Sequence, residues 1–211
     1  MFITQMLFTT LQWILFIILG LIFLVEVVVR AVRRYKHFPI PAFIARFIDN
    51  PIRRRIQSPS KVVSWINIKS GMRVLEVGSG PGTFTIEAAR RAGASGMVLA
   101  IDIQPSITMK LKSKLRKMGV VNLEPIVASV HELPFPNKIF DCTLMITVLG
   151  ELPDKEKALL EIKRTLKENG LLAIGELLLD PDYPRRKTVI KLCRRAGASF
   201  MEFYFWKLDS C

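Results

Sequence analysis

The sequence has little from which to build a metal centre or a disulfide scaffold. Its 211 residues hold three cysteines, Cys142, Cys193 and Cys211, odd in number, far apart and without a C-x-x-C pair. That excludes a disulfide framework and a zinc knuckle, and it suits a reducing compartment. The two histidines, His37 and His131, are too few to supply several metal ligands, so no metal site is expected. Acid is scarce: 18 Asp+Glu stand against 31 Lys+Arg, a formal +13. Basic residues are missing altogether from positions 1–29, which carry one acid, Glu26. Beyond residue 29 there are therefore 31 bases against 17 acids, a formal +14. No internal repeat is evident. With 50% apolar and 23% charged residues, the chain as a whole is not disordered.

What is present first is an apolar run. From Leu11 to Val29, LQWILFIILGLIFLVEVVV, fifteen of nineteen residues are Leu, Ile, Phe or Val. At roughly −0.3 to −0.6 kcal/mol each they favour insertion by about 5–9 kcal/mol, against at most about 3 kcal/mol for Glu26 near one end. With Met6–Thr10 the stretch reaches the roughly 20 residues that span a bilayer, so residues 1–29 read as a transmembrane anchor. A cleaved signal peptide would want basic residues before the run and a small-residue cleavage site after it. Here Arg30, Arg33, Arg34 and Lys36 follow instead. The positive-inside rule then puts the N-terminus outside and everything beyond Arg30 in the cytoplasm, a single-pass protein of the cell membrane. A buried hairpin or core helix is the competing reading.

Residues 30–60 form a basic, amphipathic juxtamembrane segment. Pro39, Pro41, Pro51 and Pro59 break it into pieces, Phe43, Ile44, Phe47 and Ile48 share a helical face, and Arg53, Arg54 and Arg55 follow. Such a segment is expected to lie on an anionic leaflet; docking of its apolar side chains on the following domain is the plainer alternative. Nucleic acid is the other meaning of strong positive charge. It is disfavoured, because no aromatic–basic strand pattern or reader motif accompanies the charge.

From 61 to 211, near-continuous apolar strands alternate with helices: strands at 73–77, 97–103, 122–128, 140–149, 171–179 and 199–208, helices at 83–92, 105–118, 154–167 and 188–196. This is the pattern of an α/β, Rossmann-like doubly wound parallel sheet, whose ligands sit at the carboxyl ends of the strands. The chemistry begins at VLEVGSGPG, 74–82, where a strand runs into Gly78, Gly80 and Gly82. A dinucleotide G-x-G-x-x-G would need its third glycine at Thr83. Instead the spacing is G-x-G-x-G behind Glu76, and Asp102 ends the second strand, where a carboxylate can accept both ribose hydroxyls. Capping of the helix from Pro105 is the structural alternative for Asp102.

Together EVGSGPG, AIDIQPS, ELPFPNKIFD and NGLLAIGELLLDPDYP resemble the class I S-adenosylmethionine-dependent methyltransferases, in particular the ubiquinone/menaquinone-biosynthesis branch, over about residues 58–200. The apolar N-terminal helix, F-P-x-P-A-F-I and V-L-G-E-x-P also resemble a membrane-tethered subgroup. The resemblance implies S-adenosylmethionine as cofactor. Glu76, Gly78, Ser79, Gly80 and Gly82 would wrap its amino-acid part, Asp102 would hold the ribose, and Ile103 would lie beside the adenine. Thr147, Val148 and Leu149 would lie near the methionine end. Ser129 and Val130 stand where relatives carry an Asp and a small residue that contact the adenine, and a hydroxyl there forfeits a charge-assisted bond. The family's sheet closes with an antiparallel hairpin of a sixth and seventh strand; the sequence stops at Cys211 just after the sixth, so the seventh is expected to be absent or the chain to be truncated.

Methyl transfer needs mainly positioning and desolvation, with a general base only where the nucleophile arrives protonated. Glu151 is the leading candidate for a catalytic or substrate-contacting role; capping of the next helix is its alternative. Glu176, Asp180, Asp182 and Tyr183 follow, with a solvated strand end or a shaped turn as their alternatives. The acceptor is expected to be lipid-like, because a tether concentrates an enzyme only against substrates that share its surface. A phospholipid head-group amine ranks first, a prenylated quinone precursor second and a membrane protein side chain third. A nicotinamide oxidoreductase and a non-catalytic membrane adaptor are the rival functions on this fold.

Overall fold

The central strands are apolar runs because both of their faces are covered. The structure, a computed structural model, describes residues 2–35, 58–176, 183–197 and 200–204. The juxtamembrane expectations for 36–57, and Asp180 and Asp182, lie outside the described residues. The chain divides into two compact units, Met1–Phe38 and Pro39–Cys211.

The first unit is one helix, α1 (Phe2–Tyr35), running past Val29 to include Arg30, Arg33 and Arg34. Its stretch Phe8–Val25 is long and apolar enough to cross a membrane by length and composition, and none of it is buried. At 1.5 Å per residue those 18 residues rise about 27 Å, close to a hydrocarbon core.

In the second unit the elements run α2 (Pro59–Ile66), β1 (Arg73–Val77), α3 (Thr85–Ala92), β2 (Met97–Asp102), α4 (Pro105–Met118), β3 (Leu123–Val127), β4 (Phe140–Ile146), α5 (Lys155–Thr165), β5 (Leu166–Glu176), α6 (Arg186–Arg195) and β6 (Phe200–Tyr204). The six strands form one sheet in the order β3-β2-β1-β4-β5-β6, and all the pairings are parallel. The order reverses between β1 and β4, which makes their carboxyl ends the topological switch point where such folds take ligands.

The pleat sorts the core into two layers. Val74, Val98, Ala100, Cys142 and Leu144 face α2, α3 and α4. Leu75, Val77, Ile101, Met145 and Ile174 pack with the buried faces of α5 and α6. Alternation with period two then puts Glu76 and Asp102 on the α3–α4 side, with Glu76 in register with Ala100, one pleat before Asp102.

The doubly wound expectation is met, with corrections at three edges. The fifth strand begins at Leu166 instead of 171, and α5 stops at Thr165 instead of 167. Leu166 is buried and pairs with Phe140, so the sheet claims residues that local propensity would leave in the helix. The fourth strand ends at Ile146, and Leu149–Glu151 form a 3₁₀ turn. The sixth strand takes the slot beside β5 directly and in parallel, with no antiparallel strand between them among the described residues.

Candidate active site

The turn after β1 is built on the end of β2. The Gly78 and Ser79 N–H groups donate to the Ile101 carbonyl at 2.8 and 3.0 Å. The Gly80 N–H donates to Asp102 Oδ2 at 3.1 Å, and the Gln104 N–H to Asp102 Oδ1 at 2.9 Å. Lys114 on α4 donates to the Pro81 carbonyl at 3.0 Å. Gly78 adopts φ +73° with the Val148 side chain lying where a Cβ would stand, which locks the turn against the segment after β4. Gly80, at φ +49°, has open space on that side instead, leaving a backbone face a ligand can approach.

Asp102 does not cap α4. Gln104 is the N-cap residue, its side chain making no capping hydrogen bond, and the carboxylate serves the turn instead. Asp102 is 8% exposed; burial raises its pKa above the ordinary carboxylate value, while the amides of Gln104 and Gly80 pull it down. Glu76 is 2% exposed. Burial pushes its carboxyl up to about 8, the nearby Thr85 hydroxyl tempers the shift, and the charge of Asp102 adds to it. Thr85 stops short of hydrogen-bonding geometry. Glu76 Oε2, Ser79 Oγ and Thr85 Oγ1 are all buried without a partner.

Three orphaned polar atoms around one glycine turn are costly to leave dry. They fit a polar ligand that brings both a donor and an acceptor, as an amino acid does. Beside them Ile103 leaves 58% of its surface exposed, an apolar shelf next to Asp102. Sequence reasoning did not single out Thr85. Its signal was the spacing from Glu76 into the first turn of α3, a contact only the tertiary fold creates.

Glu76 also gives this site a pH signature. An acid whose pKa rises on folding, here from 4.5 to about 8, keeps its proton in the folded state while the unfolded chain loses it. Stability is full below pH 4.5 and falls as pH rises through this window. Glu76→Gln is expected to remove that loss, on the order of a few kcal/mol as an upper bound. Urea unfolding of both proteins along a pH series checks it, and parallel pH profiles would refute it.

On the other side of the switch point, Thr147 follows β4 with φ +56°. A β-branched residue in the left-handed region costs about 1–3 kcal/mol and collects at functional sites. It is held by its own N–H donating to the Gly175 carbonyl at 2.7 Å. Glu151 is half-buried in the 3₁₀ turn just beyond. It does not cap α5: Asp154 does, accepting from the Lys157 N–H at 2.9 Å. Glu176 ends β5 at 2% exposure, which overturns the solvated strand end. Tyr183 is half-buried.

Ser129 and Val130 follow β3, beyond a hydrogen bond from the Ala128 N–H to the Asp102 carbonyl at 3.2 Å. Ser129 Oγ accepts from the His131 N–H at 3.3 Å and contacts Nδ1 at the same distance. The Val130 side chain is buried in the α5–α6 layer. His131 is half-buried, its Nε2 3.0 Å from the Asp154 carbonyl. The ELPFPNKIFD loop is held by two residues that sequence reasoning missed. Arg164 donates to the carbonyls of Leu133 and Phe135 at 3.0 and 2.9 Å, and Glu161 accepts from the Leu133 N–H at 3.0 Å. The hydrogen bonds from Arg164 hold the Glu161 carboxyl down at about 2.

Among the described residues no group of His, Cys, Asp and Glu is placed to hold a metal ion. The methyltransferase-domain family matches residues 68–197. Ubiquinone/menaquinone biosynthesis C-methyltransferase UbiE of Pasteurella multocida is 38% identical over 118 residues, 54% of this chain and 44% of that one. UbiE of Vibrio cholerae is 38% identical over 117 residues, 54% and 45% of the two chains. The chain thus spans less than half the length of the curated relatives it matches. A solved S-adenosylmethionine-dependent methyltransferase from Aquifex aeolicus superposes with a TM-score of 0.58 at 30% identity, over 61% of this chain and 69% of that one. A Haemonchus contortus phosphoethanolamine N-methyltransferase solved with S-adenosylhomocysteine shares the fold, with a TM-score of 0.59 at 18% identity over 67% and 36% of the two chains.

Proposed function

Because the chain belongs to the class I S-adenosylmethionine-dependent methyltransferases, we propose that it is a membrane-anchored member that methylates a lipid-like acceptor. The observation carrying the cofactor site is the pairing of Asp102 with the glycine turn beside three orphaned buried polar atoms. When bound, the cofactor supplies a methyl carbon already activated by a sulfonium. In this reading Asp102 accepts from the ribose hydroxyls, Glu76 and Ser79 take the amino-acid end, and Ile103 and the Ser129–Val130 backbone flank the adenine. Thr147 and its neighbours face the methyl group.

The acceptor follows from the anchor. Phe8–Val25 supports a single membrane crossing, and the bases that follow it support a cytoplasmic catalytic domain. The names of the UbiE relatives favour a ring carbon of a prenylated quinone precursor, now ahead of a phospholipid amine. Forming a carbon–carbon bond there breaks the methyl–sulfur bond and releases a proton from the ring. Glu151, half-buried after β4, is our candidate to receive that proton.

The test is labelled S-adenosylmethionine added to sealed native membrane vesicles. Inverted vesicles are expected to incorporate label into the organic phase, and right-side-out vesicles to incorporate none, since the charged cofactor does not cross lipid. Label confined to water-soluble products would reject the lipid-like acceptor. Equal labelling of both preparations would reject the orientation.

A further inference from the structure

Between Tyr183 and Gly197 the chain carries six bases and no acid. Val189, Cys193 and Ala196 turn inward from α6 at a spacing of four and three residues. The opposite face presents Lys187, Lys191, Arg194 and Arg195, all exposed. With Ile190 these four line an open groove of about 560 Å³, and among the described residues its lining comes from α6. Two other helices are arranged differently. On α3, Glu87 pairs with Arg90 and Arg91; on α5, Glu161 pairs with Arg164. None of Lys187, Lys191, Arg194 and Arg195 has an ion-pair partner among the described residues.

That pattern works against the helix. Like charges stand at i,i+3 and i,i+4, a destabilising spacing. Arg185 is the N-cap and Arg186 and Lys187 open the first turn, where the helix dipole favours anions. A face arranged so poorly for its own helix is satisfied by negative charge from outside.

We propose that the outer face of α6 docks on an anionic lipid surface. The proposal rests on reading α1 as a membrane anchor, which brings the chain to such a surface. Several bases on one face of a short helix match a plane of phosphate charges. Among the described residues that line the groove none is aromatic, whereas single-stranded nucleic acid is held by stacking platforms as well as by charge.

The test reconstitutes the full chain in phosphatidylcholine nanodiscs with and without phosphatidylserine. The rates at which a water-soluble reagent acylates Lys187 and Lys191 are read against exposed Lys69. Phosphatidylserine is expected to slow both lysines by at least about fivefold relative to Lys69, as engaged charges do. The Arg194→Gln/Arg195→Gln variant, which leaves both reporter lysines in place, is expected to lose most of that protection; its thermal melt checks the fold. An unchanged rate ratio overturns the proposal. So does protection by random-sequence RNA in phosphatidylcholine discs without protection by phosphatidylserine. Flotation of the chain with phosphatidylcholine vesicles after an alkaline wash reads the anchor separately. Loss of flotation defeats the anchor, and flotation without lysine protection defeats the docking alone.

Discussion

Replacing Asp102 by alanine is expected to weaken S-adenosylmethionine binding at least tenfold. In the proposed reading the carboxylate is a charged acceptor for the ribose, and each such bond contributes about 1.5–3 kcal/mol, though not additively. The loss is compounded locally. Oδ2 and Oδ1 also take the Gly80 and Gln104 amides, so alanine releases the glycine turn proposed to hold the amino-acid end of the cofactor. Asp102→Asn keeps one acceptor oxygen and loses the charge, so its affinity is expected between those of alanine and the parent. Titration calorimetry measures all three. An alanine variant that folds and binds as tightly as the parent would falsify the role of this acid.

Phe140→Ala is expected to cost about 3–5 kcal/mol of stability, the usual range for a large buried aromatic. Phe140 is 1% exposed and among the largest fully buried side chains. Its ring meets that of Phe135 edge-on, centroids 5.2 Å apart and planes at 87°, an arrangement contributing about 0.5–1.5 kcal/mol beyond burial. Its backbone pairs with Leu166 at the irregular start of the β4–β5 ladder. A cavity there loosens the loop that carries Ser129 and Val130 as well as the core. Since whole domains are stable by only about 5–15 kcal/mol, urea unfolding should show a much lower midpoint. A loss below about 1 kcal/mol would mean that the layers collapse to fill the space.

The fold class was legible in the sequence because its signals are local. Apolar runs bounded by glycines mark fully covered strands, and helix α4 lies where Pro105 and Gly119 put it, at both ends. Glu76, the glycine turn and Asp102 were legible for a related reason: the turn demands glycine where φ is positive, and the acid must stand where the next strand stops. The apolar run to Val29 was legible from composition alone, since insertion depends on summed side-chain transfer and not on packing.

What only the tertiary structure decided depends on partners distant in the chain. Glu176 is buried because of what covers the end of β5, and no property of its neighbours announces that. Thr85 comes beside Glu76, short of a hydrogen bond, across a strand–helix connection. Arg164 and Glu161 read as an ordinary i,i+3 helix pair, yet they also grip the loop before β4. Asp154 takes the cap that Glu151 was a candidate for, which leaves Glu151 in the turn after β4. Leu166 leaves the helix for the sheet because Phe140 offers it a buried pairing. The slot of β6 beside β5 is likewise a matter of strand pairing, and residues so far apart in sequence carry no local record of it.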